Sequence, residues 1–233
     1  MILERAKDPM GRAIYDYSNK AHNNIIKVYS PEFFDDYIET AYLFRGYDDF
    51  PEVEQLAMQE SKGEILDIGC GAGSHALHLK EQGYAVEALD ISSYICDVVK
   101  KHNIKTHCVD IINFGPNKKY DTLLLLMNGL GIAGKNQLLP HFLNKLKSLL
   151  TPNGQILIES CSTDYLFDDP KDAEEFSGEI LYQMEYEGIK GTPFHWLYLP
   201  FEKLKKVAVD NGLQAELLLE HEGSTYLAKL TLS

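Results

Sequence analysis

The chain has 233 residues, 35 acidic against 22 basic, with a formal net charge of −13 and 45% hydrophobic content. That length is enough for one well-buried domain with an accessory cover. The acidic balance disfavours a nucleic-acid partner, whose phosphates are held by clustered Lys and Arg; Lys100-Lys101 and Lys203, Lys205 and Lys206 read as solvated helix faces.

In chain order, residues 1–62 precede the first strong strand and are expected to form an N-terminal helical cap. Pro31 is placed to start a helix, with Phe34, Tyr37, Ile38, Ala41 and Phe44 recurring at helical spacing. Ten of the 25 aromatics lie in the first 50 residues, suited to packing the cap or to lining a substrate pocket. Arg45 lies some twenty residues before a glycine-rich run. Its guanidinium fits either a ligand carboxylate or an ion pair with Asp48 or Asp49.

The most informative stretch follows. A strand from Glu64 to Ile68 carries Asp67 near its end, then come Gly69, Cys70, Gly71, Ala72 and Gly73, and a helix opens at Ser74. Glycines let the backbone turn sharply and admit a ligand that any Cβ would block. The helix start behind them offers unpaired N–H groups. A dinucleotide fingerprint needs G-x-G-x-x-G, and here the third glycine comes one residue early. Asp67 would repel a pyrophosphate lying along the loop.

A second strand closes on Asp90, and Ile91-Ser-Ser leads into a helix with Ser92 or Ser93 as N-cap. An acid at that strand end can accept both hydroxyls of a ribose. A third strand from Lys105 ends in Asp110 and Ile111, and the apolar run Tyr120–Met127 reads as a buried central strand that exits into Asn128. A helix is expected near Gln137–Leu150, a turn at Thr151-Pro-Asn-Gly, and a further strand from Gln155 to Ser160.

The D-x-G-x-G-x-G run, the acids ending the next two strands and their order resemble the class I S-adenosylmethionine-dependent methyltransferases. The resemblance covers residues 64–161 well and the end of the chain moderately. It implies a doubly wound α/β fold: a mostly parallel seven-stranded sheet with an antiparallel C-terminal hairpin, expected here at 213–220 and 225–232. It implies S-adenosylmethionine as cofactor, held by Asp67, Gly69, Cys70, Gly71, Gly73, Asp90, Ile91, Asp110, Ile111, Asn128 and Arg45. Asp110 would meet the adenine amino group, its apolar neighbours would sandwich the ring, and Asn128 would lie beside the transferred methyl.

Residues 63–233 are then the cofactor-binding domain. Residues 179–187 and 192–199 read as two strands around a Gly188–Gly191 turn, a β-flap insert on the substrate side, and Phe201–Asn211 as a helix stopped by Gly212. Asn128, His195 in the flap and Tyr15 in the cap are the candidates for handling the acceptor, with His195 and Tyr15 equally suited to packing. An enclosed aromatic pocket favours a small-molecule acceptor. Two other classes share parts of the pattern: a non-catalytic binder of the same cofactor, and an NAD(P)-dependent oxidoreductase, which Asp67 and the early third glycine weaken.

No metal-ligand motif of the H-E-x-x-H kind is present, and Cys70, Cys96, Cys108 and Cys161 show no C-x-x-C pairing. Reduced thiols, no apolar signal core at the start and no apolar run long enough for a bilayer give the expectation of a cytoplasmic protein off the membrane.

Overall fold

A computed structural model describes residues 2–20, 24–221 and 225–233. The strands are β1 (Ile25–Tyr29), β2 (Asp36–Glu39), β3 (Glu64–Ile68), β4 (Ala85–Asp90), β5 (Lys105–Cys108), β6 (Tyr120–Leu125) and β7 (Leu150–Cys161). They continue with β8 (Glu179–Tyr186), β9 (Ile189–Lys190), β10 (Phe194–Leu197), β11 (Leu213–Glu220) and β12 (Thr225–Leu232). The helices are α1 (Pro9–Lys20), α2 (Glu52–Glu60), α3 (Ser74–Glu81), α4 (Ser93–Lys100), α5 (Leu139–Leu149), α6 (Pro170–Glu175) and α7 (Phe201–Asp210).

The main sheet has seven strands in the order β11-β12-β7-β6-β3-β4-β5. β4 pairs with β5, and β6 with β7, in parallel, while β12 runs antiparallel to both β7 and β11. The expected doubly wound α/β sheet with its closing hairpin is therefore present. Strand order reverses at β3, and in such sheets ligands gather at the carboxyl ends of the strands. The apolar runs that made β6 and β7 legible are the buried centre: Leu123, Leu124, Leu125, Ile156, Leu157 and Ile158 are fully enclosed.

The chain divides into two compact units, one of Met1–Phe50, Leu66–Gly115 and Leu181–Phe194, the other of Pro51–Ile65, Pro116–Ile180 and His195–Ser233. In the first, β1 is the centre of a smaller antiparallel sheet. Ile26 faces Ile38 of β2, and Val28 faces both Asp36 of β2 and Met184 of β8. The N-terminal segment and the β insert thus share one sheet, of order β10-β8-β1-β2 with β9 on β8.

This corrects the helix expected from Pro31. Residues 36–39 are strand, and Thr40–Phe44 is a single 3₁₀ segment. Phe34 is 95% and Tyr37 60% exposed, so the helical spacing of aromatics there does not mark a buried face. The backbone is claimed instead by long-range partners: the amide and the hydroxyl of Thr40 both donate to the carbonyl of Asn24.

Two smaller differences have local causes. The insert turns at Glu187-Gly188, both left-handed, so Ile189 and Lys190 already pair with β8. Thr151–Gly154 is a bulge inside β7: Leu150 stands opposite Tyr120 and Gln155 opposite Thr122, so the residues between them bow out of the ladder.

Candidate active site

The glycine loop leaves the carboxyl end of β3 in the first unit. Gly69, Gly71 and Gly73 all have positive φ, at +71°, +51° and +86°. The amides of Gly69 and Cys70 donate to the carbonyl of Leu89 at 2.8 and 3.2 Å, tying the loop to β4. A Cβ on Gly73 would press on Val99 at 3.0 Å, but one on Gly71 would meet nothing within 4 Å. Gly71 is therefore not a packing glycine; its bare edge fronts open space of the kind a ligand fills.

Two carboxylates flank this loop, and a third stands beside one of them. Asp67 is buried and accepts from the amide of Ala76 in the first turn of α3, while its Oδ2 has no hydrogen-bond partner. Burial raises its pKa to about 6, against the pull of His75 nearby. Asp90, at the end of β4, accepts from Ser92 N–H at 2.8 Å and from Gly71 N–H at 3.4 Å. Burial, reinforced by Asp8 and Asp67, raises its pKa to about 7. Two buried acids, one with an oxygen that meets no donor, suit a ligand of hydroxyl or cationic character.

Sequence reasoning missed Asp8, the third of these acids. It is buried, accepts from the Ser92 hydroxyl at 2.5 Å and from Gly11 N–H at 2.8 Å, and so joins the start of α1 to the cap of α4 beside Asp90. Gly11 is required, since a Cβ there would collide with Ser92 Oγ and the Asp8 carboxylate. Ser92 caps α4 as expected, accepting from Ile95 N–H.

The remaining candidates are placed as follows. Cys70 is buried, with its thiol pKa pushed well up by burial. Ile91 is partly exposed and Ile111 enclosed, while Asp110 caps a 3₁₀ turn by accepting from Ile112 N–H. Arg45 is buried, its guanidinium stacked 4.0 Å from the Tyr42 ring and donating to the Tyr42 carbonyl. Its segment is brought to the loop: Ser74 Oγ donates to Leu43 O, and Phe50 packs on His75 at 4.7 Å. Tyr15, on α1, packs its ring on Tyr94 at 5.3 Å.

In the second unit, β6 exits through Met127 and Asn128, both non-glycine residues with left-handed φ, at +54° and +55°. Such backbone costs about 1–2 kcal/mol per residue and clusters at functional positions. Asn128 Oδ1 is buried without a hydrogen-bond partner. Sequence reasoning also missed the groups that hold this exit: Glu159 of β7 accepts from both amides, and Trp196 donates to the Asn128 carbonyl at 3.1 Å. His195, next to Trp196 on β10, is half-buried. Tyr186 and Lys190 have oxidoreductase-like Tyr-x-x-x-Lys spacing, but they flank a hairpin turn rather than sharing a helix face.

Among the described residues no cluster of His, Cys, Asp and Glu could hold a metal, and no helix is long and apolar enough to cross a membrane. The residues present suit S-adenosylmethionine: Asp90 would offer a carboxylate to ribose hydroxyls, the open edge of Gly71 would allow close approach, and Asp67, with one oxygen lacking a donor, would suit a cationic ligand.

Comparisons with known proteins agree. A family model described as a methyltransferase domain matches residues 40–216. The structure is similar to that of a SAM-dependent methyltransferase from Bacteroides fragilis in complex with S-adenosyl-L-homocysteine, with 40% identity, a TM-score of 0.93, and coverage of 100% of this chain and 98% of that one. It shares its fold with CalS10, an amino pentose methyltransferase from Micromonospora echinaspora (13% identity, TM-score 0.59, 83% of this chain and 94% of that one). A dTDP-3-amino-3,6-dideoxy-alpha-D-glucopyranose N,N-dimethyltransferase from Streptomyces fradiae is 24% identical over 98 residues, 41% of this chain and only 38% of the relative's length. Motif, sheet order, loop chemistry and relatives converge: the chain belongs to the S-adenosylmethionine-dependent methyltransferases.

Proposed function

We propose that the protein moves a methyl group from S-adenosylmethionine to an amine nitrogen of a small molecule. The observation that carries the amine is Asn128 Oδ1, buried and without a partner. In the family this strand exit lies beside the transferred methyl. An amide oxygen accepts an N–H or O–H but cannot remove a proton at neutral pH. A neutral amine attacks without prior proton loss, whereas a hydroxyl needs a base, and the carboxylate at this exit, Glu159, is engaged by two backbone amides. Bound S-adenosylmethionine would supply a methyl already activated on a sulfonium. The chain's part is then to orient the amine lone pair in line and to exclude water.

The substrate side supports a small molecule. Residues 1–62 and the insert 179–199 act, on this proposal, as one acceptor-choosing cover on the 63–233 domain. Their shared sheet carries a cavity of about 220 Å³ with Tyr29, Asp35, Tyr182 and Gln183 in its wall. The net charge of −13 argues against nucleic acid, and four free cysteines fit a cytoplasmic setting. The amino-sugar acceptors in the relatives' names point the same way.

The test is a matched pair of acceptors, amino sugars against their hydroxyl counterparts, with methyl-labelled cofactor and mass spectrometry of the products. Label on nitrogen alone is expected. Label on the hydroxyl compounds would overturn the amine assignment, and cofactor binding without any transfer would favour a non-catalytic binder.

A further inference from the structure

We infer that Glu159, with Trp196, is the positioning group that fixes Asn128 for methyl transfer; this rests on the amine proposal above. Glu159 lies on β7 one residue beyond Ile158, which pairs with Leu125 at the end of β6. Only 4% exposed, directly after the buried apolar run Ile156–Ile158, it is a costly residue to bury. Its two oxygens accept from consecutive backbone amides, Oε2 from Met127 at 2.8 Å and Oε1 from Asn128 at 3.1 Å. Both donors belong to left-handed residues. Two charge-assisted bonds offset the strain of that turn.

Trp196 fixes the other side. Its Nε1 donates to the Asn128 carbonyl, and the ring occupies the space that a Cβ on Gly131 would need, so only glycine leaves it room. Side chains thus tie both the amide and the carbonyl of Asn128, and the amide oxygen of its own side chain is left without a partner. Glutamine at 159 would keep the shape but offer one acceptor, turning an NH₂ donor toward one of the two amides.

Sinefungin tests this without a known acceptor, because its amine stands where the sulfonium methyl of the cofactor would be. Calorimetry would compare its affinity with that of S-adenosylhomocysteine in wild type, Asn128→Ala, Glu159→Gln and the double variant. Asn128→Ala is expected to lower the sinefungin preference about tenfold, the worth of one hydrogen bond to a charged group. Glu159→Gln should lower it comparably with S-adenosylhomocysteine affinity kept, and the double variant should fall no further.

An unchanged preference in Glu159→Gln, or losses that multiply in the double variant, would overturn the positioning role alone. An unchanged preference in Asn128→Ala would remove the amine proposal beneath it. Should Glu159→Gln fail to fold, Trp196→Phe carries the test: a weakened preference supports the inference, and an unaltered one overturns it.

Discussion

At the scale of single residues, the carboxylates at the glycine loop, the proposed cofactor site, are held against their ordinary preference. Asp90 is raised to about 7 and Asp67 to about 6, in each case mainly because burial penalises the charge. The sign of the linkage follows. Between about pH 4 and 7 the unfolded chain has released the proton that folded Asp90 keeps, so its contribution to stability falls as pH rises through that window. Asp90→Asn should therefore stabilise the ligand-free protein at pH 8, by about 3–8 °C at roughly 2–4 °C per kcal/mol, with little change at pH 4. Differential scanning fluorimetry at the two pH values checks this; an Asp90→Asn variant that melts no higher than wild type at pH 8 would contradict the buried-charge account. Binding runs the other way. Ribose hydroxyls donate best to an ionised Asp90, so S-adenosylhomocysteine affinity should rise about tenfold from pH 6 to 8, in step with the ionised fraction. A flat titration profile would show that Asp90 does not meet the ligand in its charged form.

At the scale of elements, the glycines separate ligand room from packing. Gly71→Val should leave melting within a few degrees, because the Cβ site is open and the cost is about 1–2 kcal/mol of left-handed backbone, yet abolish S-adenosylhomocysteine binding. Gly178→Ala should do the opposite and cripple folding, since its Cβ would lie on the Tyr198 carbonyl. Parallel calorimetry and thermal melts separate the two, and a Gly71→Val protein that still binds would sink the open-edge argument.

The same distinction explains what could be read ahead of the structure. The loop from Asp67 to Gly73, Asp90, the Ser92 cap and the β6 exit were legible because strand ends, caps and left-handed turns have local chemistry. Residues 31–44 were not, because their strand depends on pairing with β1 and their aromatics happen to recur at helical spacing. Glu159 was hidden by its position in an apolar strand, and Asp8 because its partner Ser92 lies 84 residues away.

At the scale of the whole molecule, the smaller antiparallel sheet is assembled from two distant stretches of sequence, with β1 between β2 and β8. Removing residues through Tyr29 would bare the edge of β8, so the truncated chain should self-associate or precipitate. Size-exclusion chromatography of that truncation tests this, and a well-behaved monomer of unaltered melting temperature would argue that the N-terminal strand is dispensable. Fold and cofactor class rest on the glycine loop and its acids; the proposed amine acceptor rests on Asn128 and the smaller sheet, where sequence patterns are least general. One titration addresses the shared foundation: S-adenosylhomocysteine against the wild-type chain and Asp90→Ala by calorimetry, with NADH as control. Micromolar binding to the wild type, lost in the variant and absent for NADH, is the expected result. Binding of NADH in place of S-adenosylhomocysteine, or undiminished binding by Asp90→Ala, would contradict it.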